Sequence, residues 1–398
     1  MNNRTLNLHT TDMQISIALM VPFVVLTIQY FILLYFNILG TSTGSKIQLL
    51  SKIIVGLSFL YVLPSIIKQN ILKLISIYFV SIFLFLVNYL MFPENQSQLN
   101  ELIFPFFFMS LPSFIYSLSL TNWHVLKYVM IKASYVVFIL GTVLSILIFT
   151  GKVTVGAYSM TLSYYMLLPA IIFMDQLLEK LSLRMLLISL ISIIVILSLG
   201  SRGAILCLII FVMFKIVRFK LTYSKMLYNL ITLSAIFIVF FYLDKILSYL
   251  ESALLLFGIR SRSIHLLLGE EVYLSGRDNI YERLLTEILD NPIIGIGLGA
   301  DRRFVESGYA HNFILEVLLN YGLLLGSLIL VTVIILLFKG IFTKDDEKYN
   351  IITIWISLGF VHLMVSSSYL IDFKFWILLG ILLSSVIKKY RFVYNSVG

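Results

Sequence analysis

Apolar residues run along this chain in long, nearly unbroken stretches separated by short polar breaks. Twelve can be drawn, at approximately 14–38, 47–67, 73–92, 102–120, 128–149, 157–174, 184–200, 203–217, 226–243, 313–338, 350–371 and 374–388. A bilayer core is about 30 Å thick and takes roughly 20 apolar residues per crossing helix. Each stretch therefore predicts a membrane span. The runs are continuous rather than alternating, which argues against a β-barrel. The stretch at 102–120 holds Pro105 and Pro112 and is expected to be kinked or re-entrant. The first stretch is too long for a signal-peptide core and is expected to be retained as a span. One polar interruption is long, at about 244–312.

Composition agrees with the pattern. The 398 residues are 60% hydrophobic and 12% charged, against about 25% charged in soluble domains. The fold class is an all-α polytopic membrane protein of about twelve transmembrane helices. A net charge of +9 first suggests nucleic acid, but the placement of the charges sets topology instead. With the N-terminus inside, the inner segments carry 17 of the 29 Lys and Arg residues, as cytoplasmic segments do. Both termini are then cytoplasmic, no nucleic-acid partner is expected, and 244–312 is external. The organisation is 1–243 with nine spans, 244–312 as the outer loop, and 313–398 with three spans. Cys207 is the single cysteine, so no disulfide forms within the chain.

The outer loop carries "DNIYERLLTEILDNP". Ile280, Tyr281, Leu284, Leu285, Ile288 and Leu289 make one helical face. Asp278 is placed to cap the helix and Pro292 to end it. "GIGLGA" (295–300) lacks nucleotide-loop spacing and predicts a flexible turn whose backbone approaches something closely. Arg260, Arg262, Arg277, Arg283, Arg302 and Arg303 crowd the same loop. Snorkelling to headgroups accounts for scattered arginines. Arg202 differs, because the short turn "GSRG" pins it at the apolar boundary, where a cation usually has a partner. The loop closes on "YAHNFILEVLLNYGLLLG" (309–326). His311 serves either interfacial packing or chemistry, and no metal-ligand spacing surrounds it. Glu316 lies one turn beyond Asn312 and is expected to face the bundle interior.

Three segments in this order resemble the O-antigen ligase/polymerase superfamily of bacterial envelope proteins. They are "LSLGSRGA" (197–204), "SGRDNIYERLLTEILDNPIIGIGLG" (275–299) and "AHNFILEVLLNYGLLLG" (310–326). Tyr281 departs mildly from the aromatic residue many members carry. The resemblance implies a GT-C-like fold in the bacterial inner membrane, with ten to fourteen spans and a large periplasmic loop. It also implies glycan transfer from undecaprenyl pyrophosphate, for O-antigen or capsule synthesis. A lipid-linked oligosaccharide is then the principal partner, with flippase and chain-length regulator proteins as further ones. No cofactor and no metal is expected.

The residue types suit that chemistry. A diphosphate leaving group needs charge neutralisation, which guanidinium forks supply. Arg202 and Arg277 are the first candidates, with Arg303 and Arg283 as further binding residues. A sugar hydroxyl attacking an anomeric carbon is helped by a base, and His311 fits that role. Asn312 or Glu316 would orient the imidazole or hold the acceptor. A ligase acting on lipid A–core is an alternative within the family. A transporter would bury its polar groups near the midplane, whereas charged candidates here gather at one face. A metal site in "KDDEK" (344–348) reads instead as a solvated turn.

Overall fold

The structure is a computed structural model. It describes residues 3–154, 159–199, 202–218, 242–256 and 277–395 except 306 and 307, together with 258, 264, 265 and 268. Residues 226–241 of the expected span at 226–243, Arg260, Arg262, and Gly200 and Ser201 of the "GSRG" turn lie outside the described residues.

Among the described residues, every regular element is helical, and eight stretches are long and apolar enough to cross a membrane. In order the helices are α1 (Asn3–Tyr35), α2 (Ser42–Met91), α3 (Gln96–Pro105), α4 (Leu111–Ser119), α5 (Trp123–Phe149), α6 (Met160–Glu179), α7 (Leu183–Leu199) and α8 (Arg202–Val217). Then follow α9 (Leu243–Leu256), α10 (Arg277–Asp290), α11 (Asp301–Phe304), α12 (Phe313–Ile341), α13 (Asp346–Trp355), α14 (His362–Ser366) and α15 (Phe373–Asn395).

Two expectations change. The turn predicted between the second and third stretches is absent, and α2 runs 50 residues through Lys68, Gln69 and Asn70. At 1.5 Å per residue that is about 75 Å. No glycine or proline lies between Pro64 and Met91, so the polar triplet alone does not break the helix. The eleventh stretch ends at Ser366 rather than 371. Ser367 is extended (φ −141°, ψ 179°), and serines compete for backbone hydrogen bonds where a helix ends. The irregularity expected at Pro105 and Pro112 is present as a π-turn at Phe106–Ser110, between α3 and α4. Proline removes a helical hydrogen bond and crowds the preceding turn, and a wide turn accommodates both.

By its contacts the chain forms two compact units, Met1–Leu19 with Val55–Val129 and Leu274–Gly398, and Met20–Ile54 with Met130–Tyr273. In the second unit, Leu34, Leu144, Leu162, Met166 and Val195 form a buried cluster. Lys215 pairs there with the fully buried Asp175. In the first unit, α15 packs on α4, with Trp376 edge-on to Phe106 and Phe114.

The glycine loop positions the rest of the first unit. Helix α12 breaks at Gly322, whose φ of 74° and ψ of 176° are not helical. In an unbroken helix the Leu323 amide would donate to the Leu319 carbonyl. Here the Leu323 amide donates to Pro292 O at 2.7 Å, and Leu319 O accepts from the Ile296 amide at 2.9 Å. The 292–296 segment thus inserts itself into one broken helical bond. Asn95 Nδ2 donates to Ile296 O at 2.7 Å, and the Leu298 amide donates to Asn88 Oδ1 at 2.9 Å. The close backbone approach expected of "GIGLGA" is present, and its object is α12. The expected flexibility is not, because both strands of the contact are hydrogen-bonded.

A Cβ on Gly322 would lie 2.4 Å from Ile293 O, whereas one on Gly308 (φ 88°) would meet nothing within 4 Å. A positive φ costs a non-glycine residue roughly 1–2 kcal/mol, and overpacking adds about 1–3 kcal/mol. Gly322→Ala is therefore expected to lower the melting temperature of the detergent-solubilised protein well beyond Gly308→Ala. Equal losses from the two substitutions would refute the inserted-loop account.

Candidate functional site

The site is assembled from α10, α11, the start of α12 and the 367–372 turn, all in the first unit. Helix α10 forms as its periodicity predicts, but the buried stripe is narrower. Leu284 and Ile288 are buried against Val305, Ala310 and Leu319, while Leu285 and Leu289 stay exposed. Asp278 does not cap. The helix already begins at Arg277, which puts Asp278 in the first turn, where a carboxylate offsets the positive end of the helix dipole. Pro292 follows the end of the helix as expected.

Asn312 caps α12. Its Oδ1 accepts from the amides of Ile314 at 3.0 Å and Leu315 at 3.3 Å. The side-chain oxygen of Asn312 is thereby committed to the helix cap. Entry into the cap forces His311 to φ 54°, a left-handed conformation worth about 1–3 kcal/mol of strain in a non-glycine residue. The turn folds the imidazole against Tyr309, ring centroids 4.3 Å apart, and leaves His311 only 7% exposed. Burial pushes the imidazole pKa down to about 4, and the nearby Arg277 guanidinium pushes the same way. At neutral pH the ring is uncharged and a weaker base than a free histidine.

Glu316 faces the interior, as expected, and has no exposed surface. Its carboxylate accepts from the Ser368 hydroxyl and from the Tyr369 amide at 3.2 Å. One turn further, Asn320 Nδ2 donates to the Tyr369 hydroxyl at 3.0 Å. These bonds tie α12 to the turn before α15. Asp372 closes that turn, 2.6 Å from His362 Nδ1 and 3.6 Å from Lys374 Nζ. Burial alone would raise the Asp372 pKa. Lys374, His362 and the Ser367 hydrogen bond outweigh it and hold the group at about 2.

The arginines divide. Arg277 opens α10 and forms no ion pair or hydrogen bond among the described residues, yet its charge bears on both His311 and Tyr309. Arg303 is committed elsewhere. Its Nη1 donates to Asn95 Oδ1 at 2.9 Å and lies 3.7 Å from Glu94. Arg283 and Arg303 both lie about the Phe304 ring, at 5.1 and 5.2 Å from its centroid. Arg202 is the first residue of α8 and belongs to the second unit. Asp301 is fully buried, with Oδ2 accepting from the Ala310 amide at 2.8 Å. Burial pushes its carboxyl above the usual range, against the pull of Arg302 and that amide.

Residues 187–331 match the O-antigen ligase family model, Wzy_C. That match places residues 187–331 in the O-antigen ligase/polymerase superfamily. Members of the Wzy_C family are glycosyltransferase-like enzymes. No curated protein and no solved structure matches the chain. The Wzy_C match takes in Arg202, Arg277, Arg303, His311 and Glu316, and ends before the 366–374 segment. Sequence reasoning missed Asp301, Arg302 and that segment. The run "SSSYLIDFK" was the available signal, since three serines, an aspartate and a lysine are poorly suited to the end of a span.

Glu316→Ala would leave the Ser368 hydroxyl and Tyr369 amide buried without their acceptor, at about 1–3 kcal/mol each. Glu316→Gln keeps one acceptor oxygen. Limited proteolysis within 366–372 is expected to accelerate strongly in the alanine variant and weakly in the glutamine variant. Wild-type protection in Glu316→Ala would show that the turn is held by other contacts.

Proposed function

We propose that this protein is a polysaccharide polymerase. It moves a growing glycan from undecaprenyl pyrophosphate to a sugar hydroxyl of a lipid-linked repeat unit, on the outer side of the bacterial cytoplasmic membrane. The excess of Lys and Arg in the other polar segments supports an external position for the 244–312 loop, the orientation this requires. The observation that carries the reading is the placement of Arg277. A cation at a helix N-terminus opposes the dipole, and this one has no carboxylate partner among the described residues. Its charge falls instead on a buried, neutral histidine and a half-buried tyrosine, Tyr309. An anion-binding role explains that arrangement, since helix N-terminus and guanidinium then act together on the ligand.

In the reaction, an acceptor hydroxyl oxygen bonds to the anomeric carbon while the bond from that carbon to the diphosphate oxygen breaks. The hydroxyl proton passes to His311, and undecaprenyl pyrophosphate departs carrying the bonding electron pair. Arg277 stabilises charge as it develops on the leaving group. Arg303, Arg283 and Asn312 contribute to substrate binding through the surfaces they order, and Glu316 fixes the 367–372 turn. A pKa near 4 is low for a general base. The bound diphosphate corrects part of this, because its negative charge offsets the Arg277 charge that helps depress the imidazole.

A ligase acting on lipid A–core is the second reading, and the family match is compatible with either activity. In a Gram-negative host, Arg277→Ala and His311→Asn are expected to leave lipid A–core capped with a single repeat unit. Asparagine tolerates the left-handed backbone, so the second variant removes the imidazole without adding strain. Loss of a general base costs about 10²–10⁴ in rate. Bare core with long chains stranded on undecaprenyl pyrophosphate would instead establish the ligase. Normal long chains in both variants would remove these residues from the mechanism.

The pH dependence has a definite sign. The unfolded imidazole titrates near about 6.5 and the folded one near 4. Its stability contribution is complete above the first value and is lost as pH falls through the second. The acid limb of kcat/KM reports the free enzyme and that of kcat the bound complex. The kcat/KM limb is expected near 4, with the kcat limb at higher pH. A kcat/KM limb at 6.5 would contradict the buried, Arg277-depressed imidazole.

A further inference from the structure

Arg302 stands between the partnered Arg303 and the buried Asp301, and its bonding is incomplete. Its Nε and Nη2 are both buried and have no hydrogen-bond acceptor among the described residues. Those two N–H groups point the same way and form the side-on fork of a guanidinium, the edge that grips two oxygens of one carboxylate or phosphate. Buried donors left without acceptors are costly, and native proteins rarely keep them without a reason. The neighbouring carboxylates do not fill the fork. Asp301 Oδ2 accepts from the Ala310 amide, and its Oδ1 is buried with no hydrogen-bond partner among the described residues. Glu316 is engaged by Ser368 and Tyr369. The Arg302 charge bears on Tyr309, as does that of Arg277, so two guanidiniums act on one spot beside His311.

We propose that Arg302 is a second diphosphate-binding residue of this site, taking two oxygens of one phosphate on its Nε–Nη2 edge while Arg277 serves the other. The proposal rests on the reading of a lipid-diphosphate donor. It transfers to Arg302 the part that sequence position gave to Arg303, whose guanidinium Asn95 and Glu94 already hold. Both Arg302 nitrogens are shielded, so the ligand reaches them by displacing their cover. Asp301 keeps the guanidinium in place until then, by charge rather than by a hydrogen bond to the fork.

The test is isothermal titration of the full-length protein in detergent with farnesyl diphosphate. Arg302→Lys keeps the positive charge beside Asp301 and removes the fork, and Arg302→Gln removes both. A melting temperature near wild type for Arg302→Lys secures the comparison. Loss of a bidentate charge-assisted contact is expected to weaken binding by about ten- to a hundredfold in both variants. Farnesyl monophosphate, with no second phosphate for Arg277, is expected to bind more weakly to the wild type. Unchanged affinity in both Arg302 variants, with binding lost in Arg277→Ala, would overturn the role of Arg302 and leave the donor reading standing. Equal competition by phosphatidylglycerol micelles would make Arg302 a headgroup contact and overturn the proposal. A wild-type protein that binds no farnesyl diphosphate would overturn the donor reading and this proposal with it.

Discussion

One exchanged hydrogen bond organises the first unit. Helix α12 gives up its own bond between Leu319 and Leu323, and the 292–296 segment supplies both replacements. Glycine at 322 makes the break possible, and glycine at 295 allows the two backbones to meet. Once that contact is set, the positions of the neighbouring elements follow. Pro292 fixes where α10 must end, so Leu284 and Ile288 reach Leu319. The loop then passes Asn88 and Asn95 and delivers α11, with Asp301 and Arg302, to the mouth of α12. A kink that would destabilise an isolated helix is satisfied here by a loop carrying two of the site's charged residues.

The same N-terminal turns of α12 are also held by a different kind of bond. The carboxylate of Glu316 and the amide of Asn320 are spaced one helical turn apart, and both engage the Ser368–Tyr369 turn. A buried carboxylate is expensive unless its lone pairs are occupied, and these hydroxyl and amide donors occupy them. The same turn carries Asp372 into contact with His362 and Lys374. Asp372 is thus neutralised by charged neighbours, whereas Glu316 is held by neutral hydrogen-bond donors.

Much of this was legible in the sequence, and the failures have physical causes. Spans with strong hydropathy were found, and the helix from Arg277 to Asp290 followed from its period. Burial of Glu316 followed from the cost of exposing a carboxylate to lipid. The continuity of α2 was missed because a Lys-Gln-Asn triplet looks like a loop, although it carries no backbone signal to end a helix. The rigidity of "GIGLGA" was missed because glycine reports the conformations a chain can adopt and not the partner that selects one. The choice between Arg302 and Arg303 was beyond sequence reasoning altogether. Adjacent residues on a one-turn helix point to different neighbours, and Asn95, which claims Arg303, lies 208 positions away.

The strain at His311 and its low basicity come from the same geometry. A left-handed backbone at 311 lets Asn312 cap α12 and turns the imidazole onto Tyr309, out of water. Burial holds the ring neutral, which a proton acceptor requires, but also weakens it as a base. A site that kept the ring permanently basic would need a fixed carboxylate beside it, and that carboxylate would repel an anionic donor. Pairing the histidine with Arg277 inverts the arrangement. The positive charge that depresses the imidazole is the one that attracts a diphosphate, so on the proposed mechanism the arriving substrate strengthens the base that acts on it.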